Sequence, residues 1–219
     1  TMYFKNTPVK LADSRTHGAG TELIIVEGDS AASAVTALRD GQYQAVLPMQ
    51  GKPLNALKAT TAKVSAYPLF NALENSLGTG AGEHFNMNTM RFERIVLLFD
   101  PDADGIHSGA LMLMYFYKCM RPLLEAGKIL MVHPPWLQFT ITGRTEPLYA
   151  YAEAQGRDVS EQLRAQGMTF QTLRYRGLAG INRNILVNAC IAPETRVTRT
   201  MGLKDAEAAI AVFGGGLEG

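Results

Sequence analysis

Cysteine is scarce in this 219-residue sequence, with Cys119 and Cys190 the only two. Neither has metal-ligand spacing or a disulfide framework around it, which excludes a stapled secreted scaffold and a thiolate zinc site. Two reduced, buried thiols are expected instead. An excess of one charge is also lacking: 21 Lys and Arg face 20 Asp and Glu, a formal net charge of +1. No global field draws the chain to nucleic acid, so any DNA contact must come from a local patch or a partner's basic surface. Long apolar runs are missing too. The most hydrophobic stretch, Ala110 to Tyr117, is far below the ~18 residues of a membrane span, and Lys118 and Arg121 follow it. No signal peptide opens the chain. The expectation is a fragment of a soluble, cytoplasmic protein with no membrane partner.

What is present is ordinary for a globular chain: 47% hydrophobic and 19% charged residues. The length suits one good-sized domain with an appendage. Leu23 to Val26 and Ile95 to Phe99 are continuous apolar runs, the mark of strands buried on both faces of a parallel sheet. Ala45 to Leu47 and Ile129 to Val132 are two shorter ones. Helices are expected over Ala31 to Arg39 with Asp29 or Ser30 as cap, Leu54 to Lys63, Leu69 to Leu77 and Ser108 to Ala126. This alternation predicts an α/β fold, an open and mostly parallel sheet flanked by helices. After Pro134-Pro135 the pattern changes to short strands (Trp136 to Thr142, Pro147 to Tyr151, Phe170 to Arg176), a polar helix (Ala152 to Gln166) and a terminal helix (Asp205 to Phe213). We therefore expect a lead-in over 1–20, a core domain over 21–135 and a smaller α+β tail region over 136–219.

Both strong strands end on acids: Glu27 in Glu27-Gly28-Asp29-Ser30, and Asp100, Asp102 and Asp104 in Asp100-Pro101-Asp102-Ala103-Asp104-Gly105. Open α/β sheets bind ligands beyond the carboxyl ends of their strands. If the Asp segment stays extended, alternate spacing throws its carboxylates to one side. Two such charges ~4 Å apart repel by about 4 kcal/mol at an effective dielectric of about 20. A hard divalent cation on oxygen ligands offsets that, magnesium rather than zinc because no His or Cys joins the cluster. An Asp-rich surface turn capping the next helix accounts for the same residues equally well. A calcium loop lacks its downstream Glu. Asp29 reads as a helix cap rather than a ligand.

The two acidic motifs together resemble the Toprim signature of bacterial type II DNA topoisomerase B subunits, the gyrase B and topoisomerase IV B family. The likeness runs on through Gln44 to Pro48, Gly51 to Asn55, Leu77 to Glu83, Phe116 to Leu123, Pro134-Pro135, Arg174 to Leu178 and Pro193 to Arg196. It implies that Glu27 is the general acid/base for the DNA 3′ oxygen. It also implies that Glu27, Asp100 and Asp102 hold a catalytic Mg2+, and that Asp102 and Asp104 hold a second, with Mn2+ or Ca2+ able to substitute. Lys52, Asn55 and His107 are the implied DNA contacts, although His107 reads equally as a helix cap. The family's nucleophilic tyrosine is carried by an A-type subunit in an A2B2 heterotetramer on double-stranded DNA. None of the eight tyrosines here accompanies the acids. ATP belongs to a half of the full-length protein with no counterpart in this chain, for Gly78 to Gly82 lacks the strand and Lys of a phosphate loop.

The resemblance implies an isomerase, part of an ATP-hydrolysing type II topoisomerase and inactive alone. Another Toprim nuclease or primase, or a non-catalytic DNA-binding relative, are the alternatives. Val35, Gln50 and Gly109 stand where the family commonly carries basic residues. A divergent paralogue with altered DNA grip is expected from those three positions.

Overall fold

The chain, seen in a computed structural model, is described over residues 2–3, 10–175 and 177–214. A short antiparallel pair, β1 (Met2–Tyr3) with β2 (Lys10–Leu11), precedes the main sheet. Then come β3 (Gly18–Glu27), α1 (Asp29–Leu38), β4 (Gln44–Met49), α2 (Thr61–Ala66), α3 (Pro68–Leu77), β5 (Phe92–Leu98), α4 (Ala103–Cys119), α5 (Arg121–Glu125) and β6 (Ile129–Val132). The remainder holds β7 (Leu137–Ile141), β8 (Leu148–Ala150), α6 (Glu153–Ala165), β9 (Phe170–Arg174), α7 (Arg183–Leu186), β10 (Thr198–Thr200) and α8 (Leu203–Phe213). No helix among the described residues is long and apolar enough to cross a membrane.

The apolar strands pair in the order β10-β6-β5-β3-β4, parallel except for β10. Side chains alternate across the pleat. Leu23, Ile25, Leu47, Ile95 and Leu97 meet α3, α4 and α5 on one face. Ile24, Val26, Val46, Val96 and Leu98 meet α1 and residues 178–191 on the other. Burial on both faces is why these strands read as unbroken hydrophobic runs. The expected α/β class, a parallel sheet with flanking helices, is what the chain adopts. A second sheet, β8-β7-β9, carries α6 and its own small core of Phe139, Ile141, Ala150 and Leu163.

Several elements differ from expectation for local reasons. Leu54 to Thr60 is not helical: the Asn55 side chain accepts from the Leu57 and Lys58 amides, a local turn that competes with a helix. Helix α2 starts only after Thr60, whose hydroxyl accepts from the Lys63 amide. The long helix starts at Ala103 rather than Ser108, and it breaks at Met120 before Pro122. Loss of the proline amide forces that break. The last strand of the second sheet ends at Arg174, and Arg176 lies outside the described residues.

The segment after Gly177 returns to the main sheet, which the sequence pattern did not announce. A bidentate ion pair fixes it there. Arg196, 3% exposed at its side chain, meets Glu22 on β3 at 2.5 and 2.8 Å. Arg94 adds a third contact to that carboxylate at 2.8 Å and the Gln44 amide a fourth at 2.7 Å. Beyond it, β10 pairs with β6, and on the opposite margin Ala12 and Val46 exchange two backbone hydrogen bonds of 2.9 Å.

Candidate functional site

Parallel pairing puts the carboxyl ends of β5, β3 and β4 side by side. Glu27 ends β3, level with Met49 on β4. Asp100 follows β5, and Lys52 follows β4. At Gly28 the chain turns from strand into α1 with φ 86°, a conformation that side chains other than glycine rarely adopt. Gly28 itself is the cap position and no side chain caps the helix. The expected Asp29 cap is thus corrected: Asp29 is the first helical residue, and it accepts a 2.6 Å hydrogen bond from the Gln50 amide.

The Asp100–Asp104 segment does not stay extended. Asp102 is the N-cap of α4, its Oδ1 accepting from the Gly105 amide at 2.8 Å, and Asp104 lies in the first turn. The turn is tight enough that a Cβ on Gly105 would sit 1.9 Å from the Asp100 carbonyl oxygen. Gly105→Ala should therefore cost about 2–3 kcal/mol, as overpacked sites do. A urea midpoint equal to wild type would show that this turn relaxes freely.

Each aspartate has a distinct partner. Asp100 Oδ1 accepts from the Leu178 amide at 2.8 Å. Asp104 pairs with Lys52 at 2.7 Å, and this partner holds its exposed carboxyl below the usual range. Burial, with Asp100, Asp102 and Asp104 adding repulsion, pushes Glu27 above the ordinary glutamate range. The hydroxyl of the buried Ser108 works against that shift. Burial and then Asp102 raise Asp100, against the Leu178 amide. The four acids therefore share one electrostatic neighbourhood.

Among the described residues no three His, Cys, Asp or Glu side chains stand as a ready-made metal shell. The donor set nevertheless fits a hard divalent cation: only carboxylate oxygens, and two acids raised in part by their acidic neighbours.

Of the implied DNA contacts, Lys52 lies at the acids, while Asn55 and His107 lie together at the end of α8. The Asn55 amide donates to the Phe213 carbonyl at 3.1 Å, and the His107 ring stacks on Phe213 with centroids 4.5 Å apart. The expectation of three lost phosphate contacts is overturned at two positions. Val35 is fully buried on the inner face of α1, and Gly109 is buried on α4, where a Cβ would face Met131 at 3.0 Å. Only Gln50 is exposed. The helical period explains the error: the outward residues of α1 near Val35 are Ser33 and Ala37. Tyr175 is buried with its hydroxyl donating to Gln138, and its pKa is pushed up to about 12 by burial and Tyr149. Sequence reasoning gave no role to Leu178, because a backbone amide leaves no trace in residue type.

The chain is similar to the DNA gyrase B subunit of Thermotoga maritima, 38% identical over 94% of this chain and 32% of that protein. It is 36% identical to that of Thermus thermophilus over 94% and 33%, and 35% to that of Archaeoglobus fulgidus over 94% and 32%. It thus spans about a third of the length of the curated relatives it matches. The Toprim domain profile matches residues 22–134, just over half of the chain and the part that carries all four acids. On that match, and on the parallel sheet with acids at its carboxyl edge, the chain belongs to the Toprim domain family.

Proposed function

We propose that this chain is the magnesium-binding DNA-cleavage and religation part of an ATP-dependent type II DNA topoisomerase, a gyrase-like B-subunit region working in the cytoplasm. The observation that carries the reading is the grouping of Glu27, Asp100, Asp102 and Asp104 beyond adjacent parallel strands, beside the cation of Lys52. In this reading residues 1–20 are a lead-in, 21–135 the metal-binding domain and 136–219 a tail region folded back onto it. Double-stranded DNA is the substrate. An A-type subunit supplies the nucleophilic tyrosine in an A2B2 assembly, and ATP binds a part of the full-length protein outside this chain.

Glu27, Asp100 and Asp102 would hold one Mg2+, and Asp102 and Asp104 the other. When bound, such ions neutralise charge that builds on phosphate oxygens during phosphoryl transfer. Glu27 moves a proton at the DNA 3′ oxygen, and its raised pKa brings it closer to neutral pH, where proton exchange is efficient. Lys52 is the phosphate contact nearest the acids. Asn55 and His107 are proposed contacts whose side chains are shared with Phe213.

Metal-dependent cleavage of duplex DNA by the chain with a purified A-type partner tests the reading. Cleavage without the partner points instead to a nuclease or primase, and DNA binding without cleavage to a non-catalytic relative. Metal binding is tested separately by calorimetric titration with Mn2+. Asp102→Asn keeps a capping oxygen but removes a ligand charge, so it should weaken binding more than Asp29→Asn. Equal effects would place the metal elsewhere.

A further inference from the structure

We infer that the backbone amide of Leu178 is a positioning group for Asp100, so that a segment beyond the Toprim-matched residues completes the metal site. The inference rests on the proposed metal role of Asp100. Each of the three aspartates is oriented from a different source: Asp102 by its own helix, Asp104 by Lys52, and Asp100 by a residue 78 positions away.

The donor is well prepared. Leu178 opens a 3₁₀ turn, Leu178–Gly180, after an extended Gly177 at φ −166° and ψ 152°. An amide at the first position of such a turn has no partner inside it, so it is free to serve a carboxylate. Gly177 lies against the same group, since a Cβ there would be 3.7 Å from Asp100 Oδ2. The Leu178 side chain, 2% exposed, is embedded with Val26, Ala31 and Val35 beneath α1. Tyr175 anchors the approach through its amide to the Trp136 carbonyl at 3.1 Å. The amide is thus seated in the core and does not ride on a free loop. Hydrogen bonds to ligating carboxylates set their orientation, and their loss typically weakens metal affinity about 10–100-fold.

Proline separates the amide from the side chain. It is tolerated at the first helical position, and the extended Gly177 suits a following proline. Leu178→Pro removes the N–H together with the leucine side chain, whereas Leu178→Ala removes only the side chain. Calorimetric titration of the 219-residue chain with Mn2+ alone should show Leu178→Pro binding at least about tenfold more weakly than Leu178→Ala. Equal affinities of the two variants, beside a clear loss in Asp100→Asn, overturn the positioning role and leave the metal reading standing. Unimpaired binding by Asp100→Asn overturns the metal reading itself. If Leu178→Pro does not fold, 15N-labelled wild type and Asp100→Asn decide the matter. The Leu178 amide proton should lie downfield in wild type and move upfield in Asp100→Asn; an unmoved resonance overturns the inference.

Discussion

Glu27→Gln should leave the fold intact and lower DNA cleavage by a complex reconstituted with an A-type partner by about 10²–10⁴-fold, the usual worth of a positioned acid/base. A neutral amide accepts hydrogen bonds in the same place but cannot exchange a proton with the 3′ oxygen. Fold should survive because Glu27 makes no ion pair among the described residues and is flanked by acids that repel it. Removing its charge relieves that repulsion, so thermal stability should hold or rise slightly. Cleavage at the wild-type rate would remove Glu27 from the acid/base role. Loss of cleavage with a large fall in melting temperature would make the residue structural instead.

Arg196→Met should lower the unfolding free energy by about 3 kcal/mol, because it leaves Glu22 charged and buried with one partner fewer. For a chain of this size that corresponds to a melting temperature lower by roughly 6–12 °C. Arg94 and Gln44 stay in contact with the carboxylate, which keeps the loss at the low end for a broken buried pair. Glu22→Leu in the same chain should restore part of the stability, since an unpaired charge is then no longer buried. The effect has a defined pH course. Burial acts to raise the Glu22 carboxyl, but Arg196, Arg94 and Gln44 outweigh it and hold the group below the ordinary glutamate value of 4.5. A depressed folded pKa stabilises above the unfolded value and ceases to do so as pH falls through the folded one. The gap between wild type and Arg196→Met should be full above pH 4.5 and shrink below it. A gap independent of pH would mean that lost packing, not the ion pair, carries the effect.

Strand positions, the α/β class and the acids at strand ends were legible because each depends on a short run of residue types. Ile95 to Phe99 is apolar without a break, and it can be nothing but a fully covered strand if the sheet is parallel. What escaped is of three kinds. Local competition decided Asp102 and Asn55, whose short polar side chains bond to nearby amides and reset where helices begin. Pairing between distant segments decided the rest: Glu22 with Arg196 and Asp100 with Leu178 join residues 174 and 78 apart. Neither pair has a spacing or periodicity to find. Val35 and Gly109 show a third limit. A basic residue expected from family pattern alone says nothing of which way the position faces, and both of these face inward.

The main sheet is closed at both margins by pieces from far along the chain, Ala12 beside β4 and the three-residue β10 with Arg199 beside β6. Bare strand edges are templates for joining other chains, and short or charged edge segments blunt them. Protection from edge-to-edge polymerisation is therefore supplied by stretches remote in sequence from the acids. A version trimmed to residues 22–134 keeps every carboxylate but bares both edges and removes Leu178 and Arg196, so self-association through those edges should accompany the loss of both contacts.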